Sequence, residues 1–187
     1  MGGSYWSNPL QFLVSTLFSL YILAVMLRLL LASSRADFYN PVSQFLVRIT
    51  NPLVIPLRRV IPPIGRLDTA TVVLLLALQA LAVILGFLIR DAALQWPVII
   101  LLSVAELVGL VFNIYIFAIL IQAILSWVNP GTYNPVTSLL YSLTEPVLGP
   151  VRRMIPPISG IDLSPLFALI GLQVLKMLVL PLLLHVG

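Results

Sequence analysis

Apolar residues fall along this chain in four long blocks, at about Leu10 to Leu31, Ala70 to Ile89, Val98 to Val128 and Pro165 to Leu184. A helix needs about 20 apolar residues to cross a hydrocarbon core. Backbone amides in lipid must be satisfied within their own segment, so the blocks are read as helices; the short alternating strands of a barrel are absent. The fold class expected is an all-α membrane protein with four transmembrane helices.

The first and second blocks, and again the third and fourth, are joined by segments of a different pattern, in which prolines and arginines interrupt short apolar stretches. These two segments are copies. Tyr39 to Asp68 reads YNPVSQFLVRITNPLVIPLRRVIPPIGRLD, and Tyr133 to Asp162 reads YNPVTSLLYSLTEPVLGPVRRMIPPISGID, aligned without a gap at a shift of 94 residues. The chain therefore divides into residues 1–94 and 95–187, each a span, an amphipathic cassette (39–68 or 133–162) and a second span. With two spans per copy, each begins on the same side of the membrane, so the repeats are parallel, and a pseudo-two-fold axis along the membrane normal is expected.

Inside each cassette the helix signals are legible. Asn40 before Pro41 and Asn134 before Pro135 read as N-caps with proline in the first turn. Thr50 and Thr144 read as caps of a second short helix with Pro52 or Pro146 in its first turn. The Pro62-Pro63 and Pro156-Pro157 pairs end it. Asp68 and Asp162 stand where a carboxylate caps the following span. The expectation is a pair of short amphipathic helices per cassette, lying at the interface.

Composition agrees with a bilayer environment: 60% of residues are hydrophobic, 9% are charged, and the mean hydropathy is +1.12. The net charge of +4 comes mainly from arginines in the two cassette connections, whereas Arg90 alone marks the opposite side. By the positive-inside bias both cassettes are cytoplasmic and both termini lie outside, as in a multi-pass membrane protein. Anionic lipid headgroups are the expected partners, nucleic acid is not, and self-association is left open. The first block lacks a basic flank before it and is expected to be retained, and Trp6 stands where a myristoylation signal needs Ser or Thr. Cysteine is absent and the lone His185 has no companions, so neither a metal site nor a cofactor is expected. Trp96 and Trp127 fit an aromatic belt.

Two groups of residues are candidates for function. Arg58-Arg59 and Arg152-Arg153 could hold lipid phosphates, a soluble anion or acidic groups of a protein partner, or could serve topology alone. Within the spans, Glu106 and Lys176 each lie about 12 Å from the outer end of their helices, which puts a carboxylate and an ammonium at one depth and predicts an ion pair. Asn113 shares a helix face with Glu106, Gln173 shares one with Lys176, and Gln79 is the repeat equivalent of Gln173, so the two amides are expected to face a common axis. The cluster is either interhelical glue or a hydrated ion path. Arg28 and Gln122 are also equivalent, and Arg28 can snorkel over one turn to the interface, so it need not be functional. No nucleophile elbow, phosphate loop or paired catalytic carboxylates are found, and no enzymatic activity is expected.

The pattern N-P-V, T-[NE]-P, P-x-R-R-x-I-P-P and then an acidic residue before an apolar span resembles the YggT family of integral membrane proteins, also called YlmG. The second copy, TEPVLGPVRRMIPPISGIDLSP, is the closer match; the first departs at Asn51, Gly65 and Arg66. The resemblance implies roles in osmotic-shock tolerance and in ion, especially potassium, homeostasis for bacterial members. For plastid relatives it implies haem attachment to a b-type cytochrome and nucleoid distribution. Together these imply a membrane scaffold or assembly factor acting through the cassettes, or alternatively a channel or transporter subunit.

Overall fold

The computed structural model describes residues 3–65, 68–90, 93–128, 134–155 and 162–185; the side chains of 3–8, 127 and 185 are outside the description. Arg66, Pro156-Pro157 and the placement of the Trp127 and His185 side chains therefore lie outside the described residues, as do parts of the turn around Asp91. The described residues form six helices and no strand: α1 (Gly3–Ser33), α2 (Pro41–Val60), α3 (Thr69–Ile89), α4 (Trp96–Val128), α5 (Pro135–Met154) and α6 (Ser164–His185).

Four of these are long and apolar enough to cross a membrane, over Pro9–Ser33, Thr69–Ile89, Trp96–Ser126 and Ser164–Leu184. With 33 residues, α4 is about 50 Å long and overreaches a hydrocarbon core of about 30 Å. The first span stops at Arg35, whose φ of 56° places it in the left-handed region. There the Ala36 amide donates to Leu31 O at 2.9 Å and the Arg35 amide to Ala32 O at 3.2 Å, closing the last carbonyls before the chain turns into the cassette.

Each cassette holds one helix of 20 residues rather than two short ones. Asn40 caps α2 by accepting from the Val42 amide at 2.9 Å, and Asn134 caps α5 by accepting from the Thr137 amide at 2.9 Å. Thr50 and Thr144, in contrast, are not caps. They sit mid-helix and donate back to carbonyls one turn earlier, Leu46 O at 2.6 Å and Leu140 O at 2.8 Å. The helices run on through Pro52, Pro56, Pro146 and Pro150, although proline removes an intrahelical donor and ordinarily breaks a helix. Packing outweighs this local cost: Ser43, Leu46, Thr50 and Val54 form one buried stripe on α2, and Leu139, Leu143, Thr144 and Leu148 another on α5. The opposite faces stay exposed and carry apolar residues such as Phe45, Leu53 and Tyr141, as expected of helices that lie against an interface. Ile61 caps the α2 end, its amide donating to Leu57 O at 2.8 Å, and Pro62-Pro63 then bar continuation.

Within each repeat the two spans pack on each other and on their cassette helix, α1 with α2 and α3, and α4 with α5 and α6. The repeats meet through α3 and α4, while α1 makes no contact with α6 among the described residues. A closed pseudo-two-fold would have made that contact equal to the first, so the two copies succeed each other in a row and leave a wedge open between α1 and α6. The larger core, with Val25, Val54, Leu75 and Leu143, ties repeat 1 to α4 and α5. A smaller one of Ile119, Leu148 and Ala168 serves repeat 2.

Candidate functional site

Two regions gather the polar side chains. At the cassette ends, the arginine pairs divide into two roles. Arg58 turns back to the cap of the next span, its Nη2 lying 2.5 Å from Asp68 Oδ2. Arg152 does the same with Nε 3.1 Å from Asp162 Oδ2, and adds Glu145 Oε2 at 3.0 Å from Nη1. Each carboxylate also caps: Asp68 accepts from the Thr71 amide and hydroxyl, and Asp162 from the Ser164 amide at 2.9 Å and from its hydroxyl. Burial would raise the pKa of Asp68, but the bonds from Arg58 and Thr71 outweigh it and hold it below the ordinary value. At Asp162 burial is likewise outweighed, by Ser164 and Arg152. The second arginine of each pair, Arg59 or Arg153, is exposed and makes no ion pair among the described residues.

Deeper in the fold, Arg28 is buried rather than snorkelling, because Nη1 donates to Thr50 Oγ1 at 2.7 Å. Its equivalent Gln122 pairs with Thr144. The two cassette helices touch where they begin, with Asn40 Nδ2 donating to Pro135 O at 2.7 Å.

The second region is a cleft in the wedge between the repeats. One chamber of about 320 Å³ is bounded by α1, α3 and α4 and lined in part by Gln11, Ser15, Arg90 and Glu106. It shares Ser19, Gln79 and Glu106 with a second chamber of about 510 Å³ that reaches Asn113 and Lys176 beside α6. Glu106 and Lys176 thus border one space, but they do not pair with each other. Gln79 Nε2 donates to Glu106 Oε2, and Lys176 Nζ donates to Asn113 Oδ1 at 2.7 Å. Matching depth was not enough to join them, because amides on α3 and on α4 itself satisfy each charge first. Gln173 does not join the cluster; it is exposed on α6 and makes no hydrogen bond among the described residues, so the two equivalent amides do not pair. Arg90 Nε donates to Gln11 Oε1 at 3.1 Å at one end of the cleft. The contribution of α1 was missed in the sequence, although Gln11, Ser15 and Ser19 recur every four residues and so mark a polar stripe on an apolar helix.

A family model described as CCB3/YggT matches the chain twice, over residues 7–89 and 101–183. The chain belongs to the CCB3/YggT family. Its two family matches coincide with the two repeats, each covering both spans and the cassette between them. A protein of Escherichia coli K12 named YggT is 36% identical over 170 residues, which cover 91% of this chain and 88% of the relative. An uncharacterized protein of Pseudomonas aeruginosa is 43% identical over 174 residues, covering 90% of this chain and 87% of that one. The ycf19 protein of Guillardia theta is 36% identical over 68 residues, covering 36% of this chain and 75% of its own length. No solved structure matches. What the CCB3/YggT membership adds to the geometry is a unit of one repeat, since a relative most of whose length matches can align with about a third of this chain.

Proposed function

We propose that this is a non-enzymatic protein of the bacterial inner membrane that supports osmotic-stress tolerance and ion (potassium) homeostasis as a scaffold or assembly factor. It acts through cassettes held at the cytoplasmic interface. The observation that carries the reading is the division of labour within each arginine pair. Arg58 and Arg152 are spent on fixing the cassette to the next span, which presents Arg59 and Arg153 outward next to the exposed apolar residues Val60 and Met154. A guanidinium beside an apolar side chain at a helix end matches the chemistry of an anionic headgroup above acyl chains, or of an acidic partner at the same level.

The test is replacement of Arg59 and Arg153 by Gln in cells that depend on the protein under osmotic shock. Insertion is expected to match the wild type while tolerance is lost, and Lys at both places should rescue only in part, since it lacks the planar fork. Unchanged tolerance would contradict the reading, and so would loss of the inserted protein.

A second reading, a channel or transporter subunit, is favoured by the cleft, where Ser19, Gln79, Glu106, Asn113 and Lys176 stand among apolar residues at intramembrane depth. Reconstituted protein separates the two: ion flux that changes with Glu106→Gln or Lys176→Met at unchanged stability would place transport first. Assembly of a membrane cytochrome would use the cassettes of the first reading, and co-purification of another membrane protein would support it.

A further inference from the structure

The contact between repeats is made once inside the chain, and both halves of it recur unfilled at the chain's outer edges. Shifting each residue by 94 positions compares the two copies directly. On α4, Leu107 and Ile114 are 7% and 7% exposed in the core shared with α3; their equivalents on α1, Leu13 and Leu20, are 57% and 60% exposed. On α3, Val83 is 9% exposed and Gln79 is buried against Glu106; their equivalents on α6 are Met177, 63% exposed, and Gln173, exposed. The α6 face that does pack matches the pattern of α3, for Ala168 is buried on α4 as its equivalent Leu74 is buried in the core of repeat 1. The open face on α6 is therefore the one that, in repeat 1, receives the next repeat.

We infer that this face receives a second copy of the chain, with α6 of one protomer seated on α1 of another in the same head-to-tail manner that seats α3 on α4. Three observations support this occupant. The interface already exists in the molecule, so a further copy continues it. Gln173 lies about 14 Å into its span, near the middle of the hydrocarbon core, and has no hydrogen-bond partner among the described residues. An amide there exposed to lipid is costly, and burial against a neighbouring helix removes the exposure. Finally, Leu13 and Leu20 are exposed but, unlike Ser15 and Ser19 on the same helix, do not line the cleft, so closing the wedge within one chain would not by itself cover them. The contact is heterologous and closes only as a ring of copies.

Within the chain Gln79 meets Glu106, and the same shift pairs Gln173 with Phe12 of a second copy. The chain has no cysteine, so the pair can be probed by placing Phe12→Cys and Gln173→Cys in separate, differently tagged chains expressed together. A short bifunctional maleimide applied to membranes is expected to give a product of twice the chain mass carrying both tags, and none when either variant is expressed alone. Both side chains are exposed, so insertion should be intact; immunoblotting of the membrane fraction checks it, and a chain carrying Gln79→Cys and Glu106→Cys controls for the reach of the reagent. Absence of the mixed product at normal insertion would overturn the inference. Gln173→Cys cross-linking only to itself would do so as well, since it would show α6 meeting α6.

Discussion

Arg28 and Gln122 stand at equivalent positions near the cassette ends of α1 and α4, and each meets the equivalent threonine of the helix that follows, Thr50 or Thr144. One pair buries a charge, while the other is neutral. The same division runs through the two repeats. Asn40 is buried and ties α2 to the start of α5, whereas Asn134 is exposed and shares a reciprocal capping box with Thr137. Gln79 is covered and Gln173 is not. Each repeat shows outward on one span a face that the other copy uses inward, repeat 2 on α6 and repeat 1 on α1. Duplication supplied one interface twice, and position in the chain decided which copy of it is filled.

The largest expected effect lies in the buried threonine pairs. Thr50→Val removes the acceptor of a buried guanidinium and should destabilise the detergent-solubilised protein by about 2–3 kcal/mol, because hydrogen bonds to charged groups carry about that much. Thr144→Val at the neutral pair should cost about 1 kcal/mol. Arg28→Gln, which copies the repeat 2 residue into repeat 1, should make the response to Thr50→Val resemble that of Thr144→Val. Thermal unfolding of the variants decides it, and equal costs at Thr50 and Thr144 would remove the distinction between a charged and a neutral pair.

A smaller effect is expected at the two caps. Asp68→Ala should cost about 1 kcal/mol, in the range for loss of a helix cap, whereas Asp68→Asn keeps a capping oxygen and removes the charge that faces Arg58. Both Asp68 and Asp162 ionise below the ordinary carboxylate range. Their stabilisation is thus present above the unfolded-state pKa of about 3.9 and is lost as pH falls through the depressed folded value. The melting temperature should decline below about pH 4, and Asp68→Asn should flatten that decline. Asp162 is the more solvent-exposed of the two, so Asp162→Asn should flatten it less. A pH profile unchanged by Asp68→Asn would show that its bond to Arg58 contributes nothing.

The spans, the duplication and the four terminal caps at Asn40, Asn134, Asp68 and Asp162 were legible in the sequence, since each depends on local chemistry: length of apolar run, a proline in a first turn, a carboxylate before a helix. Thr50 misled for the same reason. Threonine before Asn-Pro or Glu-Pro is a good local start signal, but a packed stripe and the side chain of Arg28 or Gln122 hold the helix through it. The Glu106-Lys176 pair failed because depth along a helix can be counted from sequence while azimuth around a bundle cannot. Amides at Gln79 and Asn113 lay nearer to each charge. The division of each arginine pair was likewise invisible, since adjacent residues point about 100° apart and only the fold says which one turns toward the aspartate.

The proposed function rests most on two parallel repeats and on the proposal that their cassettes face the cytoplasm. Val60 and Met154 are equivalent, exposed, and next to Arg59 and Arg153, and the chain offers no competing thiol. Single-cysteine chains, Val60→Cys or Met154→Cys, should resist a membrane-impermeant maleimide in intact cells and react in inverted membrane vesicles. Labelling of both from outside would reverse the orientation, and labelling of one alone would contradict the parallel arrangement itself.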